Sequence, residues 1–153
     1  MKYAKKIVSG KQAPKNVSAE FFCDDILHYV KKNKQESFDF VIGIASFQHI
    51  PTSKERFFLI KNIYRILKYD GKLLMTNRSF SRRFVKKYKT VIIKALWKYS
   101  ITRGKYQRND LMIPRTNKNI SYKRFYHIYT LRELKKLMTM SGFLITKLGY
   151  LHK

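Results

Sequence analysis

The fold class this sequence predicts is an α/β domain built around one parallel βαβ unit, and three observations predict it. Residues 38–45 are apolar apart from Asp39, the pattern of a strand buried on both faces of a parallel sheet. Residues 72–77, around Leu73, Leu74 and Met75, read as a second buried strand. Between them Phe57, Phe58, Ile60, Ile63, Tyr64 and Leu67 give a helix a broad apolar face. A parallel crossover of this sort leaves the loop after its first strand at the carboxyl edge of the sheet, where open α/β sheets bind ligands.

The elements follow in order. Residues 1–10 read as the end of a basic helix stopped by Ser9 and Gly10, and residues 11–16, with Pro14, as a loop. Residues 17–23 read as a strand with Asp24 and Asp25 at its carboxyl end, followed by a short helical turn at 26–32 and a polar loop at 32–37. The central helix starts at Pro51, Thr52 and Ser53, with Thr52 or Ser53 as N-cap and Glu55 in its first turn. Tyr69, Asp70 and Gly71 end it, Gly71 supplying the positive φ that a turn wants. Residues 79–99 form an amphipathic helix in which Phe84, Tyr88, Val91, Ile92, Ala95, Leu96 and Tyr99 recur at three- and four-residue spacing. Residues 102–121 are polar and loop-like, anchored by Leu111, Met112, Ile113 and Pro114, and residues 125–129 are extended. Thr130 and Glu133 have capping-box spacing and open a helix over 131–140. Ser141 and Gly142 close it, and residues 143–151 read as a last strand. No internal repeat is visible.

A chain of 153 residues is one domain by length. Its charge is lopsided, with 34 Lys and Arg against 9 Asp and Glu, a net +25. From Gly71 to Asn109 there are 12 basic residues and no acid. Such a field attracts polyanions, nucleic acid or an anionic membrane surface, although a Lys-, Ile-, Asn- and Tyr-rich composition also suits an AT-rich genome. Cys23 is the single cysteine, which excludes an internal disulfide frame or zinc cluster and fits a cytoplasmic setting. The apolar stretch 90–97 is too short to span a bilayer and carries Lys94.

Two groups of residues carry a family resemblance. Ser37, Phe38 and Asp39 through His49, then Arg65 to Gly71 (R-I-L-K-Y-D-G), with Phe22, Cys23 and Asp24 before them, resemble the third, fourth and fifth strands of class I S-adenosylmethionine-dependent methyltransferases of type 11. Asn109 to Pro114, Arg124 to Tyr129, Leu131 to Leu134 and Ser141 to Phe143 resemble the members that methylate carboxymethyl-type wobble uridines of tRNA. The resemblance implies a partial Rossmann-like class I methyltransferase sheet lacking its first two strands and its last. On that reading residues 1–153 form a single incomplete domain with a basic helical insertion at about 79–121. No G-x-G-x-G occurs in the sequence, and Met1 to Lys6 resembles the helix that follows the ribose-binding acid. A truncated member is the expectation, with weak or no cofactor binding by this chain.

For the site, the resemblance implies Asp24, with Asp25 beside it, on the adenine amine, although both also suit capping of the next turn. Ile44, Ala45 and Ser46 would pass beside S-adenosylmethionine, or simply pack as a strand end, and His49 would sit at the ligand edge. Methyl transfer to an ionised carboxylate needs positioning more than a base, so a cationic clamp is expected. Arg78 and Arg124 are its candidates, with Tyr126 and His127 beside them, against surface charge and aromatic packing as the plainer reading. Arg82, Arg83, Lys86, Lys87 and Lys89 would contact tRNA phosphates; a solvated face or a membrane-surface helix with Trp97 are the rivals. The functional expectation is therefore a tRNA-directed methyltransferase, with an unnamed activator subunit as a possible partner. A catalytically inactive remnant or RNA-binding module, and a small-molecule methyltransferase, are the alternatives.

Overall fold

The computed structural model describes residues 18–102, 107–117 and 120–150. The basic helix end and loop expected at 1–16 lie outside them. The βαβ unit is present. Strand β1 (Phe38–Ile44) is followed by a single 3-10 turn (Phe47–His49), helix α2 (Ser53–Ile66) and strand β2 (Leu67–Thr76). Helix α1 (Ile26–Lys32) precedes the unit.

β1 and β2 pair in parallel, with Phe40 opposite Lys72 and Ile44 opposite Thr76. Phe38 pairs with Leu67, so residues 68–71 are looped out between the two registers. Gly71 lies in that bulge and has no positive φ; glycine is needed there for space. A Cβ would lie 2.9 Å from the Lys68 carbonyl and 3.1 Å from the Leu67 Cβ. The helix thus ends at Ile66, several residues before the expected turn.

α2 starts on a complete capping box. Thr52 accepts from the Glu55 amide at 3.1 Å, and Glu55 accepts from the Thr52 amide at 3.2 Å. At its other end Arg65 reaches back and donates to the carbonyls of Val30 at 2.8 Å and Lys31 at 3.2 Å. One guanidinium therefore satisfies the open end of α1 and ties it to α2.

The main core lies between α2, the inner face of the sheet and helix α4 (Leu131–Met140), around Leu59, Ile60, Ile63, Ile66, Phe47 and Tyr129. The outer sheet face is open among the described residues: Phe40, Ile42 and Ile44 are 65, 63 and 69 % exposed.

The expected loop at 102–121 is corrected. Strands β3 (Asp110–Asn117) and β4 (Ile120–His127) form an antiparallel hairpin. Pro114 stands inside β3, which a two-stranded ribbon tolerates because an edge N–H needs no partner. Helix α3 (Arg82–Ile101), capped by Ser81 and kinked at Tyr88, packs Phe84, Tyr88, Val91, Ile92 and Ala95 on the hairpin to make a second core with Leu111, Ile113, Tyr126 and Ile128. Ile128 and Tyr129 are consecutive and serve the two cores in turn.

Two expected strands are absent. Residues 18–25 and 143–150 have no regular structure, because no strand among the described residues lies beside them to complete a ladder. Phe143 packs edge-on against Tyr64 at 5.2 Å, held by a left-handed Gly142 (φ 102°). The capping box of α4 is half made: Thr130 accepts from the Glu133 amide, but the Glu133 carboxylate turns to His127.

Candidate active site at the carboxyl edge of the sheet

β1 ends in a sharp turn. Ala45 takes a positive φ of 52°, unusual for a residue with a Cβ, and its amide donates to the Thr76 carbonyl at 2.9 Å. The Ser46 hydroxyl folds back onto the Ile44 carbonyl at 3.0 Å. The 3-10 turn that follows is possible because β1 carries glycine at 43, over which the Phe47 ring lies; a Cβ there would sit 1.8 Å from the ring.

Two side chains of this turn fasten the site together. Gln48, buried, accepts from the Arg78 amide at 2.7 Å and so joins the loop after β1 to the loop after β2. His49 makes a 2.8 Å bond from Nδ1 to the Phe125 carbonyl. A carbonyl only accepts, so Nδ1 carries the proton and Nε2 keeps its lone pair. Burial holds the His49 pKa below the usual imidazole range, and the Arg124, Arg115 and Arg78 charges push the same way. The ring also meets Tyr126 edge-on, with centroids 4.5 Å apart.

Tyr126 is the centre of the cationic group. The guanidinium carbons of Arg78, Arg115 and Arg124 lie 5.9, 6.0 and 6.0 Å from its ring centroid. Arg115 donates to the Tyr126 hydroxyl at 2.9 Å. The structure therefore brings His49, Arg78, Arg124 and Tyr126 together.

It separates the others. His127 faces away from Tyr126 along the strand and is 1 % exposed, with Nδ1 2.7 Å from Asp110 and Nε2 2.6 Å from Glu133. Both nitrogens are used, so His127 has none to offer a substrate; it ties the hairpin to α4. Burial works against its charged form, but the two carboxylates outweigh that and raise its pKa. Arg82 and Arg83 are exposed in the first turn of α3, outside the arginine group. Asp25 caps α1, accepting from the Leu27 and His28 amides. Asp24 is held by Lys32 at 2.5 Å and His28 at 3.1 Å, which lower its pKa to about 2.

Three residues of the site were not singled out from the sequence. Arg115 follows the proline of a strand read as loop, Gln48 has no chemical signature, and Arg56 looks like a surface helix residue. Arg56 is buried and donates to the carbonyls of Ile50 and Pro51, both at 2.9 Å, and to Gln107. The pattern 48–56 holds a weak signal: a charged residue on the apolar side of α2.

Residues 1–75 match the family model described as a methyltransferase domain. An S-adenosylmethionine-dependent methyltransferase from Methanosarcina mazei superposes with a TM-score of 0.70 at 21% identity, over 92% of this chain and 62% of that one. The chain shares the mixed α/β fold of the matching part of that structure. A protein from Pyrococcus horikoshii OT3 superposes at 0.60 and 16% identity, over 92% and 59%. The chain spans about three fifths of the length of each of these relatives. No curated protein matches the sequence.

The turn 45–49 follows a parallel strand at its carboxyl end, the edge at which open α/β sheets bind ligands. A groove of about 260 Å³ runs beside β1 between Ile26, Tyr29 and Val30 on one side and Phe40, Ile42 and Ser46 on the other. Its apolar walls and size suit a flat heteroaromatic ring. The described residues thus fit the adenine end of S-adenosylmethionine; they place no acid or glycine-rich turn for its ribose and methionine ends. No helix among them is long and apolar enough to cross a membrane.

Proposed function

We propose that this protein is an S-adenosylmethionine-dependent methyltransferase acting on tRNA, with a carboxymethyl-type wobble uridine as acceptor. The observation that carries this reading is the docking of the hairpin on the turn after β1, through His49 and Phe125, which sets Arg78, Arg124 and Tyr126 at the ligand edge. The bound cofactor supplies an electrophilic methyl group. The protein's own residues bind and orient: Ile42 and Ser46 line the groove, with Ile44 and Ala45 between them in sequence, Asp24 or Asp25 would meet the adenine amine at its α1 end, and Arg78 and Arg124 hold the anionic acceptor nucleotide. An ionised carboxylate is already a nucleophile, so orientation and exclusion of water account for most of the chemistry. Neutral His49 keeps Nε2 as an acceptor without adding charge. Arg82, Arg83, Lys86 and Lys87 on α3 would follow the RNA backbone.

A second reading, an RNA-binding module without catalysis, is favoured by one observation: Asp24 is already engaged by Lys32 and His28. Calorimetric titration with S-adenosylmethionine, together with label transfer to bulk tRNA, separates them. Saturable cofactor binding with transfer that is lost in Arg124→Ala supports the enzyme. Tight tRNA binding with no cofactor heat supports the module, and absence of both removes the pair.

A further inference from the structure

The three guanidinium groups around Tyr126 have no carboxylate partner: among the described residues the ion pairs are those of Asp24, Asp39, Asp110 and Glu133, and none involves an arginine. The acid nearest in the hairpin, Asp110, is committed to His127. The arginines come from separate places. Arg78 follows β2, Arg115 lies opposite Tyr122, and Arg124 lies opposite Ile113. Alternation along the strands puts Arg115, Arg124 and Tyr126 on one hairpin face, with Arg115 and Arg124 as diagonal neighbours. Arg78 arrives over the same ring and over Phe84, 5.7 Å from its centroid. Like charges gathered this closely repel, in a chain already at +25, so the arrangement costs stability unless an anion fills it.

The count of donors indicates which anion. A carboxylate has two oxygens and is satisfied by one guanidinium fork. Here there are three forks. The Tyr126 oxygen accepts from Arg115, which leaves its own proton for one further bond. We propose that Arg78, Arg115, Arg124 and the Tyr126 hydroxyl form a phosphate-binding cup, and that the group it takes is a phosphate of the acceptor nucleotide, not the reacting carboxylate. That phosphate's source rests on the tRNA reading above; the chemistry of the cup does not. Arg115 is the specificity-determining member, because it converts a two-arginine clamp that a carboxylate would fill into a site for a group with more oxygens and more charge.

The test is a titration of the full chain without cofactor, at constant ionic strength, followed by the NMR signals of the arginine side chains. Inorganic phosphate and uridine monophosphate are expected to shift the three arginines saturably, while acetate and uridine leave them unmoved. Arg115→Ala should weaken phosphate binding by about tenfold or more, the scale of one charge-assisted hydrogen bond. Arg115→Lys, which keeps the charge and the fold but loses the fork, should bind phosphate and acetate alike. An equal response of the native protein to acetate and phosphate overturns the cup, and so does native-like phosphate affinity in both variants. Competition between phosphate and tRNA, abolished in Arg115→Ala, assigns the phosphate to RNA; phosphate binding without competition overturns that assignment. Since no cofactor is present, failed methyl transfer would count against the proposed function alone, and failed phosphate binding against the cup alone.

Discussion

His49 and Phe125 are 76 residues apart in sequence and joined by a 2.8 Å hydrogen bond from the imidazole Nδ1 to the backbone carbonyl. This one bond couples the turn after β1 to the hairpin that carries the arginines. His49→Ala should therefore loosen the hairpin from the sheet. Removing a hydrogen bond and an edge-on ring interaction amounts to about 2 kcal/mol. Urea denaturation measures it, and the variant should also expose amides 124–127 to faster hydrogen exchange. Unchanged exchange would show that the hairpin holds its place by packing alone.

The two histidines give opposite pH dependences. His49 has a lowered pKa in the folded chain, so its contribution is present above the unfolded value of about 6.5 and fades as pH falls below it. His127 has a raised pKa; its contribution is full below about 6.5 and is lost as pH rises through the folded value. Urea midpoints between pH 5 and 9 should show His127→Gln flattening the alkaline arm and His49→Gln the acid arm. Exchange of these two assignments would overturn the proton placement at both rings.

His127→Ala should also be among the most damaging single changes. It leaves the buried Asp110 carboxylate without its partner, and breaking such a pair costs about 3 kcal/mol. Adding Asp110→Asn should recover part of that deficit, and thermal melts of the single and double variants measure it. No recovery would mean that the packing of the ring, more than its charge, joins the hairpin to α4.

Gly43→Ala tests the turn that forms the ligand edge. The added methyl would meet the Phe47 ring at 1.8 Å, and Phe47 is buried in the main core. Overpacking of this kind costs about 3 kcal/mol. A melting temperature within a degree or two of the native protein would mean the Phe47 ring is not confined.

Replacing Arg82, Arg83, Lys86 and Lys87 by Ala should weaken tRNA binding and reduce its salt slope by about 0.7 to 0.9 for each phosphate no longer neutralised. Filter binding across a salt series measures both. A parallel salt slope in the variant would remove this helix from the RNA surface.

What the sequence disclosed was local. The N-cap at Thr52 or Ser53, the strand β1 and the helical spacing of α3 each lie within a few residues; the structure keeps the three elements, settles the cap on Thr52, and leaves one face of β1 open among the described residues where burial on both was expected. The hairpin did not show, because its apolar residues come in clumps such as Leu111–Ile113 and Phe125–Tyr126, without a strand's regular alternation, and a ladder between residues 110 and 127 is a pairing that no window of the sequence contains. Residues 18–23 and 143–150 failed for the converse reason: their composition suits a strand, but a strand also needs a neighbour, and none lies beside them among the described residues. At the site, Arg78, Arg124 and His49 could be named from the resemblance, whereas Arg115 could not, since only the register opposite Tyr122 turns it toward Tyr126. His127 looked like a ligand and is a structural tie, a difference decided by which side of β4 it occupies.

The open side of the sheet governs how copies of this protein behave together. Phe40, Ile42 and Ile44, with Leu74 beside them, form an adhesive strip on a strongly positive body. At low ionic strength mutual repulsion reaches about 30 Å and keeps those strips apart; in 1 M salt it reaches about 3 Å and no longer does. The protein should therefore behave as a charge-stabilised colloid that clusters as salt is added, and light scattering against salt would follow that transition. A solution of it is safest dilute in electrolyte.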